Sequence, residues 1–251
     1  MTDSQVSFGA SVKVIRETPL HGGDLSSVTR VDLSDGSTVV LKRGKGVDRE
    51  PAMLRALAKA GARVPEVYAV GSAWFTMEHL AEAPATTDAW QRFGQMLHAV
   101  HLSASDSYGW HVDHAFGAVD ITNQATGDWP TFWAERRLRP SADFLPQELS
   151  NRLHRLCDRL GDHLPPHPKA SLLHGDLWTG NVHFSDVGPA LIDPASYHGH
   201  SDVDLAMLTL FGSPPNAFWE GYGGAPDQWD TRRAIYQLWP ALVHVRLFGA
   251  G

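Results

Sequence analysis

The sequence predicts an α+β protein of two lobes, a strand-rich lobe of residues 1–79 and a helical lobe of residues 80–251. Three observations predict this. Runs of alternating β-branched residues crowd the first 80 positions. Helical periodicity takes over beyond Leu80. With 251 residues and 43% hydrophobic content, the chain can also give each lobe its own core.

The elements follow in order. Val12 to Ile15 read as a first strand. Val28-Thr29-Arg30-Val31-Asp32-Leu33 alternates, Ser34-Asp35-Gly36-Ser37 carries hairpin chemistry, and Thr38-Val39-Val40-Leu41-Lys42 continues as the partner strand. Between the first two strands, Gly22 and Gly23 lie in a small-residue turn that could bring backbone N–H groups to an anion; an ordinary hairpin turn would look the same. A helix is expected from about Glu50 to Ala60. Pro51 suits its first turn, Met53, Leu54 and Leu57 share a face, and Gly61 stops it. Val67 to Val70 and Trp74 to Met77 supply two further strands, so five strands and one helix precede residue 80. Next, Thr87 or Asp88 caps a helix with Trp90, Phe93, Leu97 and Val100 on one face. A loop-rich stretch from Ser103 to Trp129 follows. Helices are expected over Trp129 to Leu138, Glu148 to Leu160, Asp202 to Phe211, and from Thr231 to the end.

Composition narrows the function. A net charge of −7, with no basic run or stripe, argues against a nucleic-acid or anionic-membrane partner. No apolar segment approaches the length of a membrane span, and Met1-Thr2-Asp3-Ser4-Gln5 lacks the basic and apolar regions of a signal peptide. The single cysteine, Cys157, sits in an ordinary helical context and suits a reducing compartment. A cytoplasmic monomer is the expectation. The 14 histidines form neither H-E-x-x-H nor a Cys/His zinc pattern, and no G-x-S-x-G elbow is present.

The chemistry lies in His174-Gly175-Asp176-Leu177-Trp178-Thr179-Gly180-Asn181, followed twelve residues after Asn181 by Asp193. Asp176 and Asn181 are spaced as in the protein-kinase loop H-R-D-x-x-x-x-N, where the acid meets the substrate hydroxyl and the amide holds magnesium. Asp193 ends the apolar run Ala190, Leu191, Ile192, which reads as a short strand able to hold a metal ligand rigidly. Two such ligands suffice for Mg2+ when a nucleotide's phosphates complete its shell. A hydroxyl must lose its proton as it attacks phosphorus, and Asp176 could accept that proton or only aim the oxygen. His174 is read as holding the loop by hydrogen bonds. Asp204, opening a helix, could brace the loop from below or simply cap. Lys42 resembles the V-A-I-K lysine that grips nucleotide phosphates. Glu50 is the candidate ion-pair partner of Lys42, or a carboxylate complementing its helix N-terminus; both can hold at once.

These strings, together with Phe132 to Pro140, Ile192 to His200, Asp204-Leu205-Ala206-Met207, Leu210-Phe211-Gly212 and Tyr236 to Gly249, resemble the fructosamine kinase (ketosamine 3-kinase) family. Trp178 discriminates most, because the related aminoglycoside and choline kinases share the H-G-D-x-x-x-x-N frame but usually lack it. The resemblance implies a bilobal protein-kinase-like fold, with an antiparallel five-stranded sheet and one main helix in the first lobe. It implies ATP and Mg2+ as cofactors, and phosphorylation at the 3-hydroxyl of a ketosamine, free or as a glycated protein amine, which leads to deglycation. Met77-Glu78-His79-Leu80 would be the hinge, with backbone at Glu78 and Leu80 facing adenine. Asp176 would be the catalytic aspartate, with Asn181 and Asp193 on magnesium. Trp178 would pack on the sugar or its amine, or fill the gap beneath the loop; Arg136 is a further candidate for the acceptor pocket. Family members with a cysteine in the glycine-rich loop differ from this chain, which has Asp24 there, so redox control through the loop is not expected. The chain ends soon after Phe248-Gly249, where relatives continue into a helical segment. Rival readings are a kinase for a polycationic acceptor, served by Asp106, Asp113, Asp120 and Asp128, and a pseudokinase.

Overall fold

The structure, a computed structural model, describes residues 12–20 and 26–249. Gly22, Gly23 and Asp24 lie outside the described residues. Strands β1 (Val14–Pro19), β2 (Ser27–Leu33), β3 (Thr38–Arg43), β4 (Val67–Val70) and β5 (Trp74–Glu78) form one antiparallel sheet in the order β1-β2-β3-β5-β4. β1 lies later than its expected span, running on through Arg16 and Glu17. It is an edge strand exposed along most of its length, so no apolar alternation marks its continuation beyond Ile15. The β2–β3 turn is held by Asp35, whose carboxylate accepts the Ser37 N–H at 3.0 Å and its hydroxyl at 2.6 Å, while Gly36 takes φ 84°.

The two faces of β3 have separate tasks. Val39 and Leu41 pack outward with Val31 and Leu33. Val40 and Lys42 face the other way, opposite Met77 and Phe75 of β5. On that inner face lies helix α1 (Glu50–Lys59), which buries Met53, Leu54 and Leu57.

The inner face continues into the rest of the molecule through one apolar cluster. Phe75, Leu54 and Leu57 belong to it, as do Phe93, Leu97 and Val100 of helix α2 (Thr87–Leu102). The cap of α2 is Thr86, one residue before the expected Thr87 or Asp88; its side chain accepts the Ala89 N–H at 3.2 Å. The stretch after α2 holds short strands β6 (Ala104–Ser105), β7 (His114–Phe116) and β8 (Val119–Ile121). Helix α3 (Trp129–Trp133) passes into a π-helical turn over Ala134–Leu138 and a 3-10 turn over Arg139–Phe144, rather than one helix to Leu138. The wider turn puts both Arg137 and Leu138 on the buried side, with the Arg137 guanidinium 4.7 Å from the Phe132 ring centre and 4.2 Å from that of Tyr197.

Helix α4 (Gln147–Asp158) buries Cys157, and burial pushes that thiol up to about 11, which makes it inert. Strand β9 (Ala170–Leu172) leads into the catalytic-type loop. Strands β10 (Val182–Ser185) and β11 (Gly188–Leu191) form a hairpin after it, and β12 (His198–Gly199) returns to pair with β9. Helices α5 (Asp202–Leu208), α6 (Asn216–Tyr222) and α7 (Trp229–Phe248) complete the chain. A second core gathers Trp129, Phe132, Trp133, Tyr236 and Trp239 beneath α7.

Candidate active site

The hairpin geometry explains how the polar string assembles. Asn181 stands just before β10 and Ile192 just after β11, and Ile192 donates its N–H to Asn181 O at 3.1 Å. Antiparallel pairing therefore places Asn181 and Asp193 at the same end of one hairpin. Asp193 adopts φ 54°, a left-handed conformation that Asp tolerates better than most residues, at a cost of order 1 kcal/mol.

Lys42 crosses from the sheet to meet them. Its Nζ lies 2.6 Å from Glu50 Oε2 and 2.9 Å from Asp193 Oδ1. Burial by itself would lower the Lys42 pKa, but the two carboxylates outweigh it and hold the ammonium above its ordinary value. Burial pushes Glu50 up to about 7, against the pull of Lys42, and its second oxygen has no partner.

The loop itself hangs from Asp204. That carboxylate, fully buried, accepts the His174 N–H at 2.7 Å and the Gly175 N–H at 2.9 Å, and His101 Nε2 lies 3.1 Å from it. Of the two readings of Asp204, the geometry is that of a brace: Ser201 stands at the cap position of α5 with no side-chain cap bond, and Asp204, inside the first turn, gives its carboxylate to the loop. His174 Nε2 bonds Ile192 O at 2.8 Å, and Nδ1 accepts the Asp176 N–H at 3.3 Å. This pair of partners requires the neutral ring, and burial lowers its pKa accordingly. Gly175 has φ 85°, and a Cβ there would stand 2.1 Å from Ala195 O, so only glycine lets the loop pass that close.

Asp176 is thereby presented to the cleft. Burial pushes its carboxyl up to about 6; a hydrogen bond from Asn181 opposes this, and Asp193 adds to it. Asn181 Nδ2 reaches Asp176 O at 2.7 Å and Oδ2 at 3.2 Å. With its nitrogen so engaged, Asn181 has its amide oxygen left for a cation. Among the described residues no group of three or more His, Cys, Asp and Glu could hold a metal. An amide oxygen with a carboxylate is a hard-oxygen pair of the kind magnesium takes alongside phosphates.

Two cavities flank this assembly. One, of about 400 Å³, is walled by Val28, Val40 and Met77 of the sheet and by Leu80, Ile192 and Asp193. Glu78 lines it as well, but its carboxylate forks onto Arg63 at 2.7 and 2.9 Å and its N–H donates to Glu66 O. The Glu78 side chain and N–H are thus already engaged within this part of the protein. The other cavity, of about 690 Å³, contains Asp176 and Trp178. The Trp178 ring lies over Gly180, where a Cβ would meet it at 2.2 Å. Arg136 is not among the described residues lining this cavity; its guanidinium donates to Gln124 at 2.7 Å.

The profile of the fructosamine kinase family matches residues 2–251. The chain belongs to that family. A chain of Thermus thermophilus assigned as a ketoamine kinase is 36% identical to this family member over 242 residues, covering 93% of this chain and 88% of its own. A crystal structure from Thermobifida fusca, assigned as a fructosamine-3-kinase, superposes with a TM-score of 0.87 at 31% identity, covering 95% of this chain and 90% of that one. A macrolide 2′-phosphotransferase type I, at 17% identity and TM-score 0.62 over 94% of this chain and 87% of its own, shares the fold alone. The fold is that of protein-kinase-like phosphotransferases, and the family is one of ATP-dependent kinases. Among the described residues, no helix is long and apolar enough to cross a membrane.

Sequence reasoning missed the partners behind the loop. His101 and Tyr222, joined at 2.8 Å, back Asp204 from α2 and α6. α6 itself was missed, although Pro215 before it and Gly223 after it, at φ 103°, bracket it as helix ends usually are. The α7 contribution to the larger cavity, Trp239, Leu247 and Phe248, has no local signature.

Proposed function

We propose that this chain phosphorylates the 3-hydroxyl of ketosamines with ATP and Mg2+, as a step in deglycation, in the cytoplasm and as a monomer. The observation that carries the reading is the bridge of Lys42 to both Glu50 and Asp193, set beside an Asp176 that is held in place and unusually basic. The 1–79 lobe would bind nucleotide, its base between Val40, Met77 and Ile192 with the Glu78 carbonyl and Leu80 backbone at the rim. Lys42 would hold phosphate oxygens, and Glu50 fixes where that ammonium stands. Asn181 and Asp193 would hold magnesium, which supplies charge neutralisation on the phosphates when bound. Asp176 aims the acceptor hydroxyl, and its raised pKa makes it a better proton acceptor than an ordinary aspartate while it stays ionised at neutral pH. Trp178 offers an aromatic face for the acceptor's C–H surface.

A polycationic acceptor is disfavoured by the acids that would have to meet it. Asp113 accepts the Asn123 N–H at 2.7 Å and Asp128 caps α3 at 2.8 Å, so both serve loop structure. The test is an ATP-consumption screen over fructosamine, ribulosamine, choline and aminoglycoside acceptors, with positional analysis of the product. Turnover is expected on the ketosamines, with phosphate on the 3-oxygen. Turnover on aminoglycosides alone would overturn the proposal. MgATP binding with no turnover on any acceptor would favour a pseudokinase.

A further inference from the structure

We infer that the cavity beside Asp176 is built for ketosamines whose amine carries an apolar substituent of about aromatic size, an inference that rests on the ketosamine reading above. An acceptor hydroxyl has to lie at Asp176, so the remainder of the acceptor extends into the 690 Å³ that this residue shares. A sugar's hydroxyls need polar partners, and beyond the catalytic loop the wall supplies almost none. It is made by Trp178, Leu210, Phe211, Trp239, Leu247 and Phe248, with His244 the one ionisable side chain besides Asp176 among the described lining residues.

A second observation separates this wall from ordinary core. Trp178 and Phe211 meet edge to face at 6.1 Å while 40% and 74% exposed, and Phe248, against the His244 ring at 4.7 Å, is 55% exposed. Large side chains left open around one cavity mark a surface that awaits an apolar ligand group. The loop acids Asp106, Asp113, Asp120 and Asp128 are absent from the described lining. An acceptor with a second ammonium would therefore strand that charge against aromatic and aliphatic carbon.

The experiment compares three fructose adducts that differ only in the amine: 2-phenylethylamine, ethanolamine and 1,4-diaminobutane. Each is assayed with MgATP on the wild type and on Phe248→Glu, whose exposed position spares the core; a thermal melt confirms that the variant folds. In the wild type, kcat/KM for the phenylethylamine adduct is expected to exceed that for the ethanolamine adduct roughly 10- to 100-fold, through KM. The diaminobutane adduct is expected to rank last. Phe248→Glu should narrow the gap between aryl and diamine adducts at least about tenfold. Equal kcat/KM on all three adducts, or an unchanged gap in Phe248→Glu, overturns the subsite and leaves the ketosamine reading intact. Turnover on none of them removes that reading and the subsite together.

Discussion

Lys42 and Asp193, 151 positions apart in the chain, meet at 2.9 Å, and Glu50 closes on the same ammonium at 2.6 Å. One contact thus ties the five-stranded sheet, its helix and the β10–β11 hairpin to a single point.

Lys42→Met leaves Glu50 buried without its cation. A carboxylate raised above its ordinary 4.5 toward 7 binds its proton more tightly in the folded state, so the folded state loses stability as pH rises through that range. Removing Lys42 strengthens this effect. Urea unfolding should show a loss of about 3–5 kcal/mol at pH 8, and a clearly smaller loss at pH 5.5. The melting-temperature rise given by MgATP should disappear with it. A loss independent of pH would show that the Lys42–Glu50 pair is not what the mutation disrupts.

Asp176→Asn separates chemistry from stability. Turnover should fall by about 10²- to 10⁴-fold with MgATP binding retained. The folded carboxyl titrates near 6 against an ordinary 3.8, so its ionisation weakens the fold as pH rises from about 4 to 6. The amide escapes that penalty. The variant should be more stable than wild type by roughly 3 kcal/mol at pH 7.5, with the gain gone below about pH 4. Wild-type kcat, for its part, should rise with pH through about 6. Denaturant curves across that range and a pH–rate profile check both statements.

Asp204 supports the loop without touching the cleft. Asp204→Ala strands two buried N–H groups and His101, and should cost about 3–5 kcal/mol. Asp204→Asn keeps one acceptor and should recover part of that loss. Guanidinium unfolding of the pair decides; equal stability of the alanine and asparagine variants would show that these bonds contribute little.

Two glycines let α2 and α6 touch. A Cβ at Gly94 would stand 2.2 Å from Phe218 O, and one at Gly221 would stand 2.0 Å from Gln91 O. Both obstacles are backbone, which cannot swing aside. Gly94→Ala and Gly221→Ala should each destabilise by about 1–3 kcal/mol or more, despite alanine's better helix propensity. Urea unfolding of each variant against the wild type measures the loss, and unchanged midpoints would show that the helices can part at no cost.

Much of the fold was legible because its signals are local. Alternation marked β2 and β3, and β4 occupies the expected span Val67 to Val70. The start of the edge strand β1 was read but not its run to Pro19, and the seven-residue α6 and the π-turn after Trp133 were not, since each depends on what packs against it. Asp176, Asn181 and Asp193 could be picked out by spacing, because a loop and a hairpin fix their separation along the chain. Arg136 shows the limit: its place in a resembling string put it near the acceptor, but its guanidinium turns to Gln124.

By itself, then, the sequence determined which residues carry charge, where glycine must stand and which segments alternate or coil. Those properties belong to side chains and to a few neighbouring φ and ψ angles. Only the tertiary structure decided that Lys42 would reach Asp193, that Asp204 would gather two N–H groups and a histidine, and that α7 would wall the space beside Asp176. Such meetings arise when buried faces close over one another, and no stretch of chain contains both partners.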